Sequence, residues 1–201
     1  IESRSEIKVH KLWSKTIPEY NRNTGEPQST DFTFTRFWVP YLSDYKGYSI
    51  FCDLDFVFLN DIQMLENIIY KDKAVSVVKH KPYEPKTKVK MDGKPQHTAA
   101  RKNWASLMVF NNEHPSNQIL TPDYLNNHKP GLDLHQFGWL QDHEIGALPP
   151  QWNVLDGYIE YDRLLGIHYT DGGPWLKEFE KTTYSKYWWS EKEKWLRSLE
   201  T

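Results

Sequence analysis

The chain has 201 residues, a formal net charge of −2, one cysteine, nine Trp and twelve Tyr. That length suits one domain with a sizeable core, and the charge gives no electrostatic case for binding nucleic acid. A lone Cys52 excludes an internal disulfide framework and favours a reducing, cytoplasmic setting; no apolar run is long enough to span a membrane, and no signal-peptide pattern is visible.

In chain order, residues 7–13 alternate apolar and polar and predict a half-exposed strand. Residues 14–29, with Pro18, Gly25 and Pro27, predict a loop. Phe34, Phe37, Trp38, Tyr41, Leu42 and Tyr45 fall at helical spacing; Pro40 predicts a kinked or late-starting helix, ended by Lys46-Gly47. A strongly apolar run follows over 50–59, and its part Ile50–Asp53 is expected as an interior strand. Asn60-Asp61 then predicts the cap of a short helix to Ile68. Strands are predicted over 74–78 and 104–111, separated by a long polar loop or ribbon over 79–102. Short helices are expected over 122–127 and 132–140, an irregular aromatic segment over 148–155, and a short strand over 164–169. The remainder, 176–201, is expected as a helical extension of a single domain spanning 1–201. Strands alternating with short helices argue an α/β fold, whose ligands gather at the carboxyl ends of the strands.

The run over 50–59 carries Asp53 and Asp55 at alternate positions, where strand geometry turns both to one face. Two carboxylates so close repel and are costly to bury, and a divalent Mn²⁺ or Mg²⁺ would relieve both problems. The plainer alternative has one Asp ending the strand and the other capping a turn. His168 also ends an apolar strand, and Gly172-Gly173 lets backbone N–H groups approach an anion. Asp142, His143 and Glu144 form the best polar cluster for touching an acceptor; the alternative is an ordinary surface turn.

Five stretches in order carry a family resemblance: residues 35–42, the Asp53-Leu54-Asp55 triplet, 104–111, Leu148-Pro149-Pro150-Gln151-Trp152-Asn153, and His168-Tyr169-Thr170-Asp171-Gly172-Gly173-Pro174-Trp175. Together they resemble the family-eight-like retaining glycosyltransferases of the GT-A fold, which include lipopolysaccharide galactosyltransferases and glycogenin. The resemblance covers roughly residues 7–176. It implies a three-layer α/β sandwich with a mostly parallel central sheet, and transfer of a hexose from a nucleotide-diphosphate donor to a carbohydrate or glycolipid acceptor. Asp53, Asp55 and His168 would hold the metal, Arg36 would lie near the donor sugar, and Ala105 and Ser106 would line its pocket. Where the family has a Lys before its Pro-Trp pair, this chain has Gly173, and Lys177 is the substitute considered for the diphosphate. The predicted strand over 7–13 matches the family's second, so an upstream nucleotide-binding βα unit is expected to be missing.

Two other classes compete. A haloacid-dehalogenase-like phosphatase also ends an apolar strand in Asp-x-Asp, the first Asp attacking phosphorus, but wants a Thr or Ser soon after, where Phe56-Val57 stand. A non-catalytic carbohydrate-binding module would account for the Trp content and would need no metal. Near the C-terminus, Tyr184, Trp188, Trp195 and Leu199 follow an amphipathic spacing. Both Trp rings are expected to pack on the domain; membrane binding is the weaker reading, because acidic residues are mixed among the Lys.

Overall fold

The computed structural model describes residues 7–26, 33–82 and 100–200. Among these, seven strands make two sheets. The first comprises Tyr48–Cys52 (β1), Leu107–Asn111 (β4), Val75–Val77 (β3) and Ile145–Ala147 (β5), in the order β1-β4-β3-β5. The second comprises Phe56–Phe58 (β2), Gly166–His168 (β7) and Val154–Leu155 (β6), in the order β2-β7-β6.

Both sheets are mixed, which corrects the expectation of a mostly parallel one. β4 runs against β1 and β3, and β2 against β7; only β3–β5 and β6–β7 are parallel. β4 starts at the end where β3 finishes, so it must run back between its neighbours, while β1, β3 and β5 keep a common direction. β1 was expected in the interior. Among the described strands it pairs with β4 alone, which places it at the sheet edge.

Side-chain alternation explains why β4 is apolar throughout. Met108 and Phe110 join one cluster with Phe37, Trp38, Phe51, Leu134 and Phe137. Leu107 and Val109 join another with Phe58, Ile62, Leu65 and Trp152. Each position of β4 therefore meets a covered face.

The segment before β1 forms a 3-10 turn, Thr35–Trp38, running into Val39–Leu42 (α1), with Phe37 and Trp38 fully buried. Pro40 sits in the first turn of α1, where a missing N–H is harmless, so the helix starts late as expected. Asp44, Tyr45 and Gly47, all at positive φ, end it. Asp61 caps the next element by accepting from the Gln63 N–H (2.9 Å), but Ile62–Ile68 is a 3-10 helix. Pro122–Asn127 (α2) matches its expected bounds. The helix expected over 132–140 shrinks to Gly131–His135 (α3): Phe137 adopts positive φ, and its ring is fully buried.

Residues 7–13 form no strand. Val9 and Trp13 are exposed, and alternation without a partner edge does not make a ladder. The loop expected over 79–102 falls mostly outside the described residues. The last element, Ser185–Ser198 (α4), follows Tyr184, which packs with Val57, Val154, Ile167 and Tyr169. Trp188 joins that cluster as expected, whereas Trp195 is 60% exposed, contrary to expectation. Among the described residues no helix is long and apolar enough to cross a membrane.

Candidate metal centre

The run over 50–59 is not one strand. β1 stops at Cys52 and β2 starts at Phe56, so Asp53-Leu54-Asp55 is the turn by which the chain leaves one sheet for the other. Two backbone hydrogen bonds pin it: the Asp53 N–H donates to the Ser106 carbonyl, and the Tyr169 N–H donates to the Asp55 carbonyl, both at 2.9 Å. Leu54 is 80% exposed, while the flanking carboxylates turn inward with 17% and 20% exposure. The alternation read from sequence thus survives, through a turn rather than an extended strand.

His168 closes β7 directly opposite Phe56, and its ring stacks on the Phe56 ring at 4.4 Å. Its Nε2 lies 3.3 Å from Asp55 Oδ1. Asp53, Asp55 and His168 each offer one ligand atom, and these atoms lie within 4.8 Å of one another. The structure therefore brings the three predicted ligands together, at the carboxyl end of β1.

Arg36 is the counter-charge. Its Nη2 stands 2.9 Å from Asp53 Oδ1, and its Nη1 donates to Asp53 Oδ2 (3.3 Å) and the Ala105 carbonyl (2.8 Å). Nε donates to the Thr33 carbonyl (3.1 Å), and the guanidinium lies over the Phe51 ring at 5.0 Å. The two carboxylates differ in proton affinity. Burial raises the Asp53 carboxyl above its ordinary value, with Arg36 pulling the other way. Burial also pushes Asp55 up, but the facing His168 outweighs it and holds that carboxyl below the ordinary value. The adjoining Cys52 thiol is pushed up to about 12 by burial and the two acids, so it stays protonated and inert.

Oδ1 of Asp53 and Oδ1 of Asp55 are both buried without a hydrogen-bond partner. Arg36 Nη2 is close to the former but not aligned to donate to it. Buried acceptors rarely stay unmatched, and two carboxylate oxygens plus an imidazole nitrogen form a donor set that a hard divalent cation accepts. The residues present fit Mn²⁺ or Mg²⁺.

The remaining expected site residues are placed as follows. Ala105 is buried and contributes its carbonyl to Arg36. Ser106 is 2% exposed and turned inward, its hydroxyl donating to the Asn103 carbonyl at 2.6 Å. Gly172, at φ 138°, spends its N–H on the Tyr169 carbonyl, and a Cβ there would meet the Phe179 ring at 2.6 Å. A Cβ on Gly173 would fall 1.9 Å from the Trp175 ring. The glycine pair thus admits these two rings. Lys177 is exposed on the turn Lys177–Phe179.

Asp142 and Glu144 are not brought to the cluster. They precede β5 and so lie at the amino end of the strand set whose carboxyl end carries Asp53. The Asp142 carboxylate pairs with Arg101. Glu144 accepts from the Ser116 hydroxyl and, at 2.7 Å, from the Gln141 N–H, capping its own turn.

Two residues escaped the sequence reading. Asn153, fully buried, faces His168 Nδ1 through its Oδ1 at 3.1 Å. His80 stands beside both, and burial, with the nearby His168 adding to it, lowers its pKa to about 4. Asn153 closes the stretch Leu148-Pro149-Pro150-Gln151-Trp152-Asn153 already singled out as a motif, but nothing in its type reveals that it is buried.

Mixed sheets, with two acids at the turn between them, make an α/β domain that shares its fold with solved glycosyltransferases. The chain resembles WbbM, a bifunctional glycosyltransferase, with a TM-score of 0.57 at 17% identity, over 81% of this chain and 35% of that one. It resembles the apo form of the glycosyltransferase GlyE of Streptococcus pneumoniae TIGR4 with a TM-score of 0.52 at 18% identity, over 81% of this chain and 43% of that one. These likenesses establish a shared fold, and this chain spans less than half of either structure. In sequence it is 41% identical over 180 residues to Protein CDI of Arabidopsis thaliana, covering 87% of this chain and 69% of that protein. The chain belongs to the family of Protein CDI. No established family profile matches it.

Proposed function

We propose that this chain moves a sugar, a hexose in the simplest case, from a nucleotide-diphosphate donor to a carbohydrate or glycolipid acceptor. The single observation that carries the reading is the convergence of one ligand atom each from Asp53, Asp55 and His168 within 4.8 Å of one another, with Oδ1 of each carboxylate buried and lacking a hydrogen-bond partner. A fold shared with glycosyltransferases supports it. Asp53, Asp55 and His168 would hold Mn²⁺ or Mg²⁺. When bound, the ion would act as a Lewis acid, neutralising charge on the departing nucleoside diphosphate.

The chain's own residues do the rest by position. Arg36 neutralises Asp53, so that two acids can share one small site without unfolding it. Phe56 fixes the plane of the His168 ring. Leu54 faces outward between the two acids. Lys177 stays in the scheme as a cation that could reach a phosphate from its exposed turn. Retention of configuration follows from the resemblance alone, and a cytoplasmic setting from the lone Cys52. A phosphatase reading fits less well: its nucleophile would be Asp53, and Phe56-Val57 stand where that chemistry wants a Thr or Ser. A metal-free sugar-binding module leaves the buried acid pair without a purpose.

The test is a thermal-shift and calorimetric screen of the intact protein against nucleoside diphosphates, with and without Mn²⁺. Metal-dependent binding of at least one nucleotide, abolished by EDTA and by Asp55→Ala, is expected. Nucleotide or sugar binding that ignores EDTA would overturn the reading.

A further inference from the structure

Behind His168 lies a polar chain that has no place in sugar transfer as described so far. Asn153 Oδ1 is 3.1 Å from His168 Nδ1, Asn153 Nδ2 is 2.9 Å from Ser106 Oγ, and Ser106 Oγ is 2.6 Å from the Asn103 carbonyl oxygen. Asn153 is fully buried, and Ser106 and His168 are each 2% exposed.

The proton positions follow from one end. A backbone carbonyl can only accept, so the Ser106 hydroxyl must donate to Asn103. With that proton spent, Ser106 Oγ receives its bond from Asn153, which fixes Nδ2 on that side. A second, longer approach of Nδ2 to the Asn103 carbonyl (3.5 Å) agrees. The amide oxygen is then left facing His168, and an amide oxygen cannot donate. His168 Nδ1 must therefore carry a proton. The opposite nitrogen, Nε2, is the one that faces Asp55 at 3.3 Å.

We infer that Ser106 and Asn153 form a relay that fixes the His168 ring with Nδ1 protonated and Nε2 directed at the cluster, making Asn153 a positioning residue for the metal. This rests on the metal reading above. It gives Ser106 a different task from lining a sugar pocket: it locks the amide of Asn153. Partners of this kind, behind a ligating imidazole, set its tautomer and orientation, and their loss typically costs roughly 10- to 100-fold in metal affinity.

The test uses two readouts on the intact protein. In nitrogen-15 imidazole NMR of the metal-free protein, assigned with His168→Gln, His168 should show a protonated, hydrogen-bonded Nδ1, and Asn153→Leu should remove that signal. In Mn²⁺ titrations followed by electron paramagnetic resonance, Asn153→Leu should bind roughly 10- to 100-fold more weakly. Asn153→Asp, which still accepts from Nδ1, should stay within about threefold of the wild type. If Asn153→Leu does not fold, Ser106→Ala frees the amide to turn over and should weaken Mn²⁺ binding several-fold. An unprotonated Nδ1 in the wild type overturns the relay. So does a folded Asn153→Leu with wild-type Mn²⁺ affinity, or, where that variant fails to fold, an unchanged Ser106→Ala. A wild type that binds no Mn²⁺ sinks the metal reading instead, and the NMR signal then decides the relay by itself.

Discussion

The turn 53–55 and the helix α4 both attach to the second sheet, and they are built in opposite ways. The turn is held from several directions at once: by Arg36 ahead of β1, by Ser106 leading into β4, and by His168 and Tyr169 at the end of β7. The helix is fixed at its start, where Tyr184 and Trp188 pack on β2, β6 and β7, and then leaves the surface, with Trp195, Leu196 and Leu199 exposed. The turn concentrates polar groups in a dry place, where each must have a partner or carry a cost. The helix spreads apolar groups in water, where each costs little. Substitutions should therefore hurt most at the turn and least at the helix end.

The largest effect is expected at Arg36. Arg36→Leu removes the counter-charge of a carboxylate that is 17% exposed and leaves it buried alone. Breaking such a pair from one side costs about 3–5 kcal/mol. Denaturant unfolding should show this loss, and Arg36→Leu combined with Asp53→Asn should recover part of it. A loss under about 1 kcal/mol would mean that the pair is not what holds the turn.

The next effect depends on pH. His80, on the turn's side of the molecule, has its pKa lowered from an ordinary 6.5 to about 4, chiefly by burial. Its folded form binds a proton less readily than its unfolded form. Stability is therefore complete above about pH 6.5, falls as pH drops toward 4, and levels off below that. Allowing for the ring's partial exposure, the loss should be on the order of 2 kcal/mol. His80→Gln should flatten the stability profile across this window. Carboxylates held low, such as Asp55, lose their contribution only at more acid pH, so the difference between the two profiles isolates His80. Equal slopes in the two proteins would remove His80 from the account.

Much of the turn was legible in the residues, and much of the helix was not. Asp53 and Asp55 stood out because acids inside an apolar run violate a pattern, and a violated pattern points to a site. His168 stood out as a polar end to an apolar strand. Arg36 was expected near the donor sugar, but its partner in the structure, Asp53, is 17 positions away and belongs to another element. Asn153 has no anomalous pattern around it: its importance lies wholly in what burial forces on its amide. The sheet was misread for a related reason. An apolar run reports that both faces are covered, which holds for β4, but not which way its neighbours run. The strand expected over 7–13 shows the converse, alternation with no edge to pair against. At α4 the periodicity was correct, yet spacing does not say where a helix leaves the surface it packs on.

A smaller effect probes where the helix is anchored. The Tyr169 hydroxyl donates to the Tyr184 carbonyl at 2.9 Å, and the Tyr169 ring is fully buried. Tyr169→Phe keeps the ring and deletes this bond, leaving the carbonyl at the start of α4 without that donor. A cost of about 1–2 kcal/mol is expected, with faster amide exchange in the first turn of α4. Unchanged exchange there would show that the helix is held by ring packing alone.

The smallest effect is expected at Trp195, and it tests the comparison at its other end. Trp195 is 60% exposed, whereas Trp188, two turns earlier, lies 5.8 Å from the Trp175 ring and packs with the cluster that contains Tyr184. Removing an exposed ring gives back little apolar burial, and surface changes away from caps and buried partners usually stay within about 0.5 kcal/mol. Trp195→Ser should therefore leave unfolding nearly unchanged. Trp188→Ser, which empties a partly covered position, should cost about 1–3 kcal/mol. Measured side by side, the two variants should differ although they share one helix and one residue type, since burial alone separates them. If Trp195→Ser proves as costly as Trp188→Ser, the end of α4 is covered in solution, and the contrast between a pinned turn and a free helix end fails.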